Sequence, residues 1–373
     1  MARLGDICAI NMGQSPDSVS YNEVGEGLPF FQGNADFGTL HPKVRVWCNA
    51  PTKIAHEGDI LISVRAPIGA LNIADTECCI GRGLAALTVD TSVCSKKYLW
   101  YAIASKVDEL ISKGTGSTFK AINKNILEET TLPLPTLQEQ SYITQLLDKI
   151  SNMILLRKQQ LQKLDDLVKA RFVEMFSEFI STTKHYVLGD ISEFVSVGIA
   201  NSATHAYADT GVVMLRNQNI KENYLDDSDL IHIDPDFAAL YKSKKLKEND
   251  ILVIRTGYPG VACLVPAKYE GCQTFTTLIV RLKHSADYLP LYICHYINSQ
   301  YGKAYVDEMK VGVAQQNFGA KALEKMPIAI PPIDKQLQFE TVVRQANKSK
   351  LTIQQGLDKL EVLKKALIQK YFG

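Results

Sequence analysis

The sequence repeats itself at a fixed interval in two long segments. Gln140 and Phe176 recur as Gln336 and Phe372, each 196 residues later. In both copies the glutamine follows a proline-containing stretch and opens a segment that ends near the phenylalanine. The chain is therefore expected to fold as two related halves, each made of a globular part and a long regular segment.

Apolar residues recur three and four positions apart through both long segments, which predicts a heptad seam. Basic residues interrupt the pattern at positions where the other copy is apolar: Arg157 matches Ile353, and Lys350 matches Ile154. An apolar residue on one helix can cover the aliphatic stem of a basic residue on the other, so the two helices are predicted to pair. About forty residues give a rod of about 60 Å. The predicted seam consists of Ile143, Leu147, Ile150, Ile154, Leu161, Leu164, Val168, Val343, Ile353, Leu357, Leu360 and Leu367.

The globular parts repeat more loosely. Leu4–Ile7 matches Leu188–Ile191, while the offset between matched motifs drifts as the loops change length. Short β-branched apolar runs predict buried strands over 59–64, 84–89, 250–254 and 277–282, and apolar spacing predicts one helix over 98–111 and another over 289–306. A retained frame with divergent loops is typical of recognition modules. The predicted domains are 1–136, 137–180, 181–332 and 333–373.

Composition restricts the class of protein. A chain of 373 residues has room for two to four compact units. Its eight cysteines lack CxxC or Cys/His ligand spacing, which favours reduced thiols in a cytoplasmic protein and no metal site. No signal peptide or apolar membrane span is predicted. The net charge of +1 is low for a nucleic-acid-binding protein, so such binding would require local patches or charge from a partner.

Motifs of autonomous catalysis are missing from the sequence. It contains neither a phosphate-binding loop nor a dinucleotide fingerprint in the right context. Asp234-Pro235-Asp236-Phe237 is similar to the catalytic motif of adenine methyltransferases, but it has Asp236 where a second proline is expected. The prediction is a non-catalytic protein without catalytic residues.

Taken together, these features resemble the specificity subunit of type I restriction–modification systems. The resemblance rests on Gly27–Asn34, on Gly58–Gly69, on the Leu132-Pro133-Leu134-Pro135 stretch before Gln138-Glu139-Gln140, and on the two long segments. It covers essentially the whole chain. The second copy departs from the usual pattern at Ala329 and Pro332, where its prolines are shifted.

The resemblance implies an α+β fold with two mixed α/β target-recognition domains, separated by two long helices that form an antiparallel coiled coil with a pseudo-twofold internal repeat. Each domain would recognise one half of a split double-stranded DNA sequence, and the helices would fix the spacing. The helices would also dock methyltransferase subunits, which supply S-adenosylmethionine, so no cofactor is expected in this chain. Restriction subunits can join such assemblies.

Candidate DNA contacts are polar loop residues of the types that bind base edges and phosphates. Arginine suits guanine, asparagine and glutamine suit adenine, and lysine or hydroxyl groups suit phosphates. In the first globular part they are Gln14, Ser15, Gln32, Asn34, Arg65, Lys113, Ser117, Thr118 and Lys120; in the second they are Arg216, Asn217, Asn219, Arg255, Tyr258, Gln315, Gln316 and Asn317.

Two other classes of function stay open. A coiled-coil scaffold whose globular domains bind ligands or peptides rather than DNA explains the near-neutral charge, but it does not explain divergent loops on a retained frame. An enzyme such as a methyltransferase ranks third because its motifs are missing, and cofactor binding by the isolated chain would favour it.

Overall fold

The computed structural model describes residues 1–116, 120–200, 204–312 and 316–373. The chain divides into a first unit (residues 1–159 and 354–373) and a second unit (residues 160–353). The first long helix, Leu137–Thr182, and the second, Ile333–Phe372, each contribute residues to both units. None of the helices in the described ranges is long and apolar enough to cross a membrane.

The first unit is built on two sheets. A four-stranded antiparallel sheet has the strand order Cys8–Met12, Leu84–Val89, Ile60–Ser63 and Leu71–Ile73. A five-stranded sheet has the order Tyr21–Asn22, Trp47–Cys48, Leu28–Phe31, Cys78–Ile80 and Ile54–Ala55, and the pair Leu28–Phe31 and Cys78–Ile80 is parallel. A further short pair joins Ala2–Arg3 to Thr131–Leu132.

The second unit repeats this strand order. Its first sheet runs Ser192–Val197, Leu278–Leu282, Ile251–Val253 and Ala262–Leu264. Its second runs Tyr207–Ala208, Ile231–Ile233, Val212–Leu215 and Gln273–Thr274, and the last pair is again parallel. Tyr186–Val187 pairs with Pro327–Ile328, and a small hairpin joins Ile220–Lys221 to Tyr224–Leu225. The repeat seen in the sequence is therefore a repeat of topology.

Short helices complete both units. In the first they span Leu4–Ile7, Lys96–Ser105, Val107–Lys113 and Lys124–Glu128; in the second they span Leu188–Ile191, Pro235–Leu240, Pro290–Asn298, Gln300–Met309 and Ala320–Glu324. The predictions of one continuous helix over 98–111 and one over 289–306 are wrong, since both break, at Lys106 and at Ser299. After the second break Gly302 packs so closely that a Cβ would lie 2.2 Å from the Ile297 carbonyl oxygen.

Segments of the two long helices pack antiparallel within each unit. In the first unit Lys158 pairs with Glu361 at 3.0 Å, and the core that contains Leu147 also contains Phe372. In the second unit the rings of Phe172 and Phe339 lie 5.4 Å apart, centroid to centroid. As residue numbers rise along one helix, those of its neighbour fall. Every predicted seam residue is buried or half-buried.

A buried glutamine opens each long helix and binds three backbone groups. The Oε1 atom of Gln140 accepts the Ser95 N–H at 2.8 Å, and its Nε2 donates to the Val93 and Pro135 carbonyls at 2.9 Å. Gln336 makes the same set with Leu289 N–H (2.8 Å), Asp287 O (2.9 Å) and Pro331 O (2.7 Å). Both side chains are fully buried. The repeat is thus maintained at the level of single hydrogen bonds.

The ends of the long helices also fill equivalent places. Phe372 packs against Tyr98 in the first unit, and Phe176 packs against Tyr292 in the second, with ring centroids 5.3 and 4.9 Å apart. The predicted fold class, with two mixed α and β halves and paired antiparallel long helices, is confirmed. The four-part division of the chain stays a prediction, because the compact units cut across both long helices.

Candidate nucleic-acid interface

Three loops of the first unit meet at the turn Gly81-Arg82-Gly83, which joins strands Cys78–Ile80 and Leu84–Val89. Backbone hydrogen bonds hold the turn from both sides: Gln14 N–H donates to Ile80 O at 3.0 Å, and Gly83 N–H donates to Gln32 O at 3.1 Å. A Cβ on Gly83 would lie 2.3 Å from that Gln32 oxygen, so only glycine allows the approach. The turn brings loops that are distant in sequence into contact.

The meeting point forms a cleft of about 240 Å³, called here the Arg82 cleft. It is lined by Gln32, Gly33, Asn34, Arg65, Ala66, Arg82 and Gly83. Three candidates predicted from the sequence, Gln32, Asn34 and Arg65, therefore lie together. Arg82 is a further residue that the sequence-based selection missed. The feature that could have indicated Arg82 is its position as a single arginine between two glycines, in a turn between two buried strands.

Polar side chains line the Arg82 cleft, and two of them carry positive charge without an ion-pair partner in the described ranges. Arg65 and Arg82 are exposed, and within the described ranges neither guanidinium makes an ion pair or a side-chain hydrogen bond. By contrast, Arg45 in the adjoining pocket is paired with Asp36. Two free guanidinium groups beside two amide side chains are the donor and acceptor set that binds base edges and phosphates.

The other candidates of the first unit lie around this cleft or on neighbouring segments. Ser15 Oγ accepts the Arg82 N–H at 3.3 Å, and Gln14 is exposed on the same loop. Lys120 is exposed, and its carbonyl accepts the Ala66 N–H at 3.2 Å. Lys113 binds Glu109 at 2.6 Å and holds the pKa of that carboxyl below its usual value, so its charge is already compensated. Ser117 and Thr118 lie outside the described residues.

In the second unit, two candidate residues form hydrogen bonds and an ion pair within their own loop. The side-chain Oδ1 of Asn219 accepts the Arg216 N–H at 2.9 Å, and its Nδ2 donates to the Asp226 and Asp229 carbonyls at 3.0 and 2.9 Å. The Arg216 guanidinium binds the Asp229 carboxylate at 2.9 Å. Asn219 is buried, so its amide is committed to loop structure.

A second group of candidates meets around Thr256. Asn217 Nδ2 donates to the Thr256 carbonyl and hydroxyl at 3.3 Å, and Arg255 Nε donates to Asn317 Oδ1 at 3.1 Å. The Asn217 Oδ1 atom is buried and has no hydrogen-bond partner within the described ranges. Tyr258 is 83% exposed on the adjoining turn, and Gln316 is half-buried near Asn317 in sequence. Gln315 lies outside the described residues.

Residue types that are common in active sites have structural roles or are buried in this chain. The Asp234 carboxylate accepts the Asp236 and Phe237 N–H groups at 2.8 and 3.0 Å, so it caps the helix Pro235–Leu240. Burial, with a smaller effect from Lys350, lowers the pKa of His295 to about 3. The cysteines are free thiols. No cluster of metal-ligating side chains occurs within the described ranges.

Comparison with known proteins gives a family match over both halves of the chain. The model of the type I restriction modification DNA specificity domain matches residues 1–166 and again residues 181–365. A protein named as the type I restriction enzyme MjaX specificity subunit of Methanocaldococcus jannaschii is 41% identical over 43% of this chain. This chain spans only 38% of the length of that relative.

Two further comparisons extend over most of the chain. The EcoBI specificity subunit of Escherichia coli is 19% identical over 84% of this chain and 73% of its own. The crystal structure of the type I restriction–modification system S subunit from M. genitalium covers 100% of this chain and 95% of its own, with a TM-score of 0.54 at 14% identity. This last likeness shows a shared fold.

Proposed function

This chain belongs to the family of type I restriction modification DNA specificity domains, and on that basis we propose that it is the DNA-recognition subunit of a type I restriction–modification complex. Each globular half recognises one part of a split double-stranded DNA site. The observation that carries the proposal is the family match over residues 1–166 and 181–365, which assigns a specificity domain to each half. The subunit acts in the cytoplasm, where its DNA substrate lies.

The proposed contacts are the polar side chains that the loops bring together. In the first half these include Gln32, Asn34 and Arg65, and in the second they include Asn217 and Arg255. The two sets differ in composition, which supports recognition of two different base sequences. The near-neutral total charge fits a protein that shares phosphate contacts with other subunits.

We propose that this chain is not itself catalytic and that its methyltransferase partners bind S-adenosylmethionine and transfer the methyl group; restriction subunits join the same assembly. Exposed apolar side chains on the long helices support docking of a partner, because exposed apolar patches often mark sites of protein–protein contact. Leu156 and Val362 are 58% and 67% exposed in the first unit.

Docking is tested by charge substitution on the helices. Leu156→Asp and Val362→Asp are expected to weaken co-purification of the methyltransferase subunit. Val19→Asp is the matched control, since Val19 is equally apolar and 86% exposed but lies in the globular part of the first unit. Equal recovery of methyltransferase with all three variants would contradict docking on the helices.

The recognition role is tested by sequencing methylated bases in DNA from cells that express the chain together with its methyltransferase. The expected result is one motif of two base blocks separated by a spacer of fixed length. Cells that express the methyltransferase alone provide the control and should lack that motif. Methylation without sequence preference would favour a scaffold role instead.

The spacing is tested by deletion of one heptad from the middle of each long helix. Seven residues shorten a helix by about 10 Å, which corresponds to about three base pairs of B-DNA. The tolerated spacer is expected to shrink accordingly while both base blocks are retained. An unchanged spacer would contradict measurement by the helices.

A further inference from the structure

We infer that Arg82 is a specificity-determining residue, which recognises a guanine in the half-site bound by the first globular half. The inference rests on the proposed DNA-recognition function and assigns to it a residue that no matched motif indicates. It follows from three properties of Arg82: a fixed backbone, a free guanidinium group, and a polar cleft around it.

The backbone of Arg82 is fixed by contacts on both sides. Gly81 N–H donates to Phe31 O at 2.8 Å, Gly83 N–H donates to Gln32 O at 3.1 Å, and the Arg82 N–H itself donates to Ser15 Oγ at 3.3 Å. A Cβ on Gly13 would lie 2.2 Å from the Gly81 carbonyl oxygen, so the neighbouring loop also touches the turn. A fixed Cα directs a long side chain into a limited volume, which specific base contact requires.

The guanidinium group of Arg82 is free to bind. In the first unit Arg3 is paired with Asp6 at 3.0 Å, and Arg45 is paired with Asp36. Arg82 has no such partner in the described part of the chain. An exposed arginine without an ion pair makes little contribution to the stability of the fold, so its guanidinium group stays available to a ligand.

The surroundings of Arg82 favour a base over a phosphate as that ligand. The Arg82 cleft also contains Arg65 and the amide side chains of Gln32 and Asn34. Guanidinium groups donate two parallel hydrogen bonds to guanine O6 and N7, and amides bind adenine in the same groove. Amide side chains also bind phosphate oxygens, but only base edges use both the donor and the acceptor of an amide, so the mixed lining of the Arg82 cleft favours a base.

The second unit has no guanidinium at the equivalent turn. Gln14 N–H donates to Ile80 O at 3.0 Å in the first unit, and Ile199 N–H donates to Thr274 O at 2.8 Å in the second. On the other side of the turn, Gly13 N–H donates to Leu84 O in the first unit, and Gly198 N–H donates to Thr277 O in the second. The turn is therefore one residue shorter in the second unit and consists of Phe275 and Thr276, of which Thr276 is half-buried with a backbone φ of 58°. The guanine contact is therefore specific to the half-site bound by the first globular half, as expected if the two halves recognise different bases.

The test is selection of bound duplexes from a randomised pool by the full chain in complex with its methyltransferase subunits. Arg82→Lys keeps the charge but loses the paired donors. It is expected to reduce preference for guanine at one position of one half-site by roughly 5- to 150-fold, and to leave the other half-site unchanged. Arg82→Ala is expected to do the same. Arg3→Ala, which removes a paired charge elsewhere in the first unit, is the control and should select the wild-type site.

The outcomes separate the inference from the function on which it rests. If wild-type complex selects a split motif and Arg82→Ala selects the same motif at every position, Arg82 does not recognise a base. If Arg82→Ala weakens binding to all duplexes equally and Arg82→Lys restores it, Arg82 contacts phosphate and the inference is overturned. If the wild-type complex selects no motif, the recognition function itself fails. Equal thermal unfolding midpoints of the variants confirm that each complex is folded.

Discussion

The buried glutamines that open the long helices permit a sharp test of how each helix is attached to its unit. Gln140 and Gln336 each bind one backbone N–H and two backbone carbonyls, at distances from 2.7 to 2.9 Å. Leucine has a similar volume but no polar atoms. Gln140→Leu therefore removes three hydrogen bonds at once and takes the side-chain partner from three half-buried or exposed backbone groups.

The expected decrease in the free energy of local opening follows from these three hydrogen bonds. A net loss of about 1 kcal/mol for each of the three gives about 3 kcal/mol for local opening, with a higher cost where water cannot reach the unpaired groups. A difference of about 3 kcal/mol corresponds to an increase on the order of a hundredfold in amide exchange by local opening.

Hydrogen–deuterium exchange measured by mass spectrometry on the full chain is the suitable assay. In Gln140→Leu the peptide around Ser95 should exchange about a hundredfold faster, on the order given by the lost bonds, while the peptide around Leu289 keeps its wild-type rate. In Gln336→Leu the peptide around Leu289 should exchange faster, while the peptide around Ser95 keeps its wild-type rate. Gln145→Leu is the control, because Gln145 is exposed on the same helix as Gln140 and its side chain bonds, among the described residues, only to Ser141.

Two results would refute this reasoning. Wild-type exchange around Ser95 in Gln140→Leu would mean that these hydrogen bonds do not hold the helix to its unit. Equal acceleration around Ser95 and Leu289 in either variant would mean that the substitution destabilises the chain as a whole rather than one attachment point.

Three further substitutions test the packing and the charges. Phe372→Ala should cost the first unit about 3–5 kcal/mol in urea unfolding, because Phe372 is buried against Tyr98, whereas the exposed Leu363→Ala should change little. Arg281→Met leaves the buried Asp250 carboxylate without its partner at 2.6 Å and should lower the free energy of unfolding by about 3–5 kcal/mol. Arg216→Met is the control and should lower it by less than about 1 kcal/mol, because its partner Asp229 is exposed. Burial lowers the pKa of His295 from 6.5 to about 3, so the unfolded chain gains a proton that the folded chain does not, and the free energy of unfolding falls as pH drops below about 6. His295→Gln should remove about 1.4 kcal/mol per pH unit from that slope, measured by urea titrations between about pH 6 and 4; an identical slope in the variant would contradict the assignment.

The long helices were predictable because their signals lie in the order of residues along the chain. Heptad spacing and a fixed interval between Gln140 and Gln336 depend only on the order of residues along the chain. The breaks at Lys106 and Ser299 were not predictable in this way, since neither a proline nor a glycine stands at either break. The second break accompanies the close packing of Gly302 against Ile297, a contact that the sequence pattern does not reveal.

The candidate site shows the same distinction. Residue type drew attention to loops that the structure brings together at the Arg82 cleft, but it does not reveal which side chains form hydrogen bonds within their own loop. Asn219 and Arg216 have suitable chemistry, yet both bind their own loop. Arg82 was missed because matching of the two copies favours shared motifs, and the shorter turn of the second copy contains no arginine. Which of these residues bind DNA stays a prediction.

The composition of the two units has a consequence for synthesis of the chain on the ribosome. The second unit is one continuous stretch, whereas the core of the first unit includes Phe372 and its neighbours Leu367 and Ile368 from the end of the second long helix. The first unit therefore completes its core only after the whole second unit has been synthesised. A premature stop that removes only the final helical turns would leave the second unit intact and open the core of the N-terminal domain, hundreds of residues upstream in the sequence.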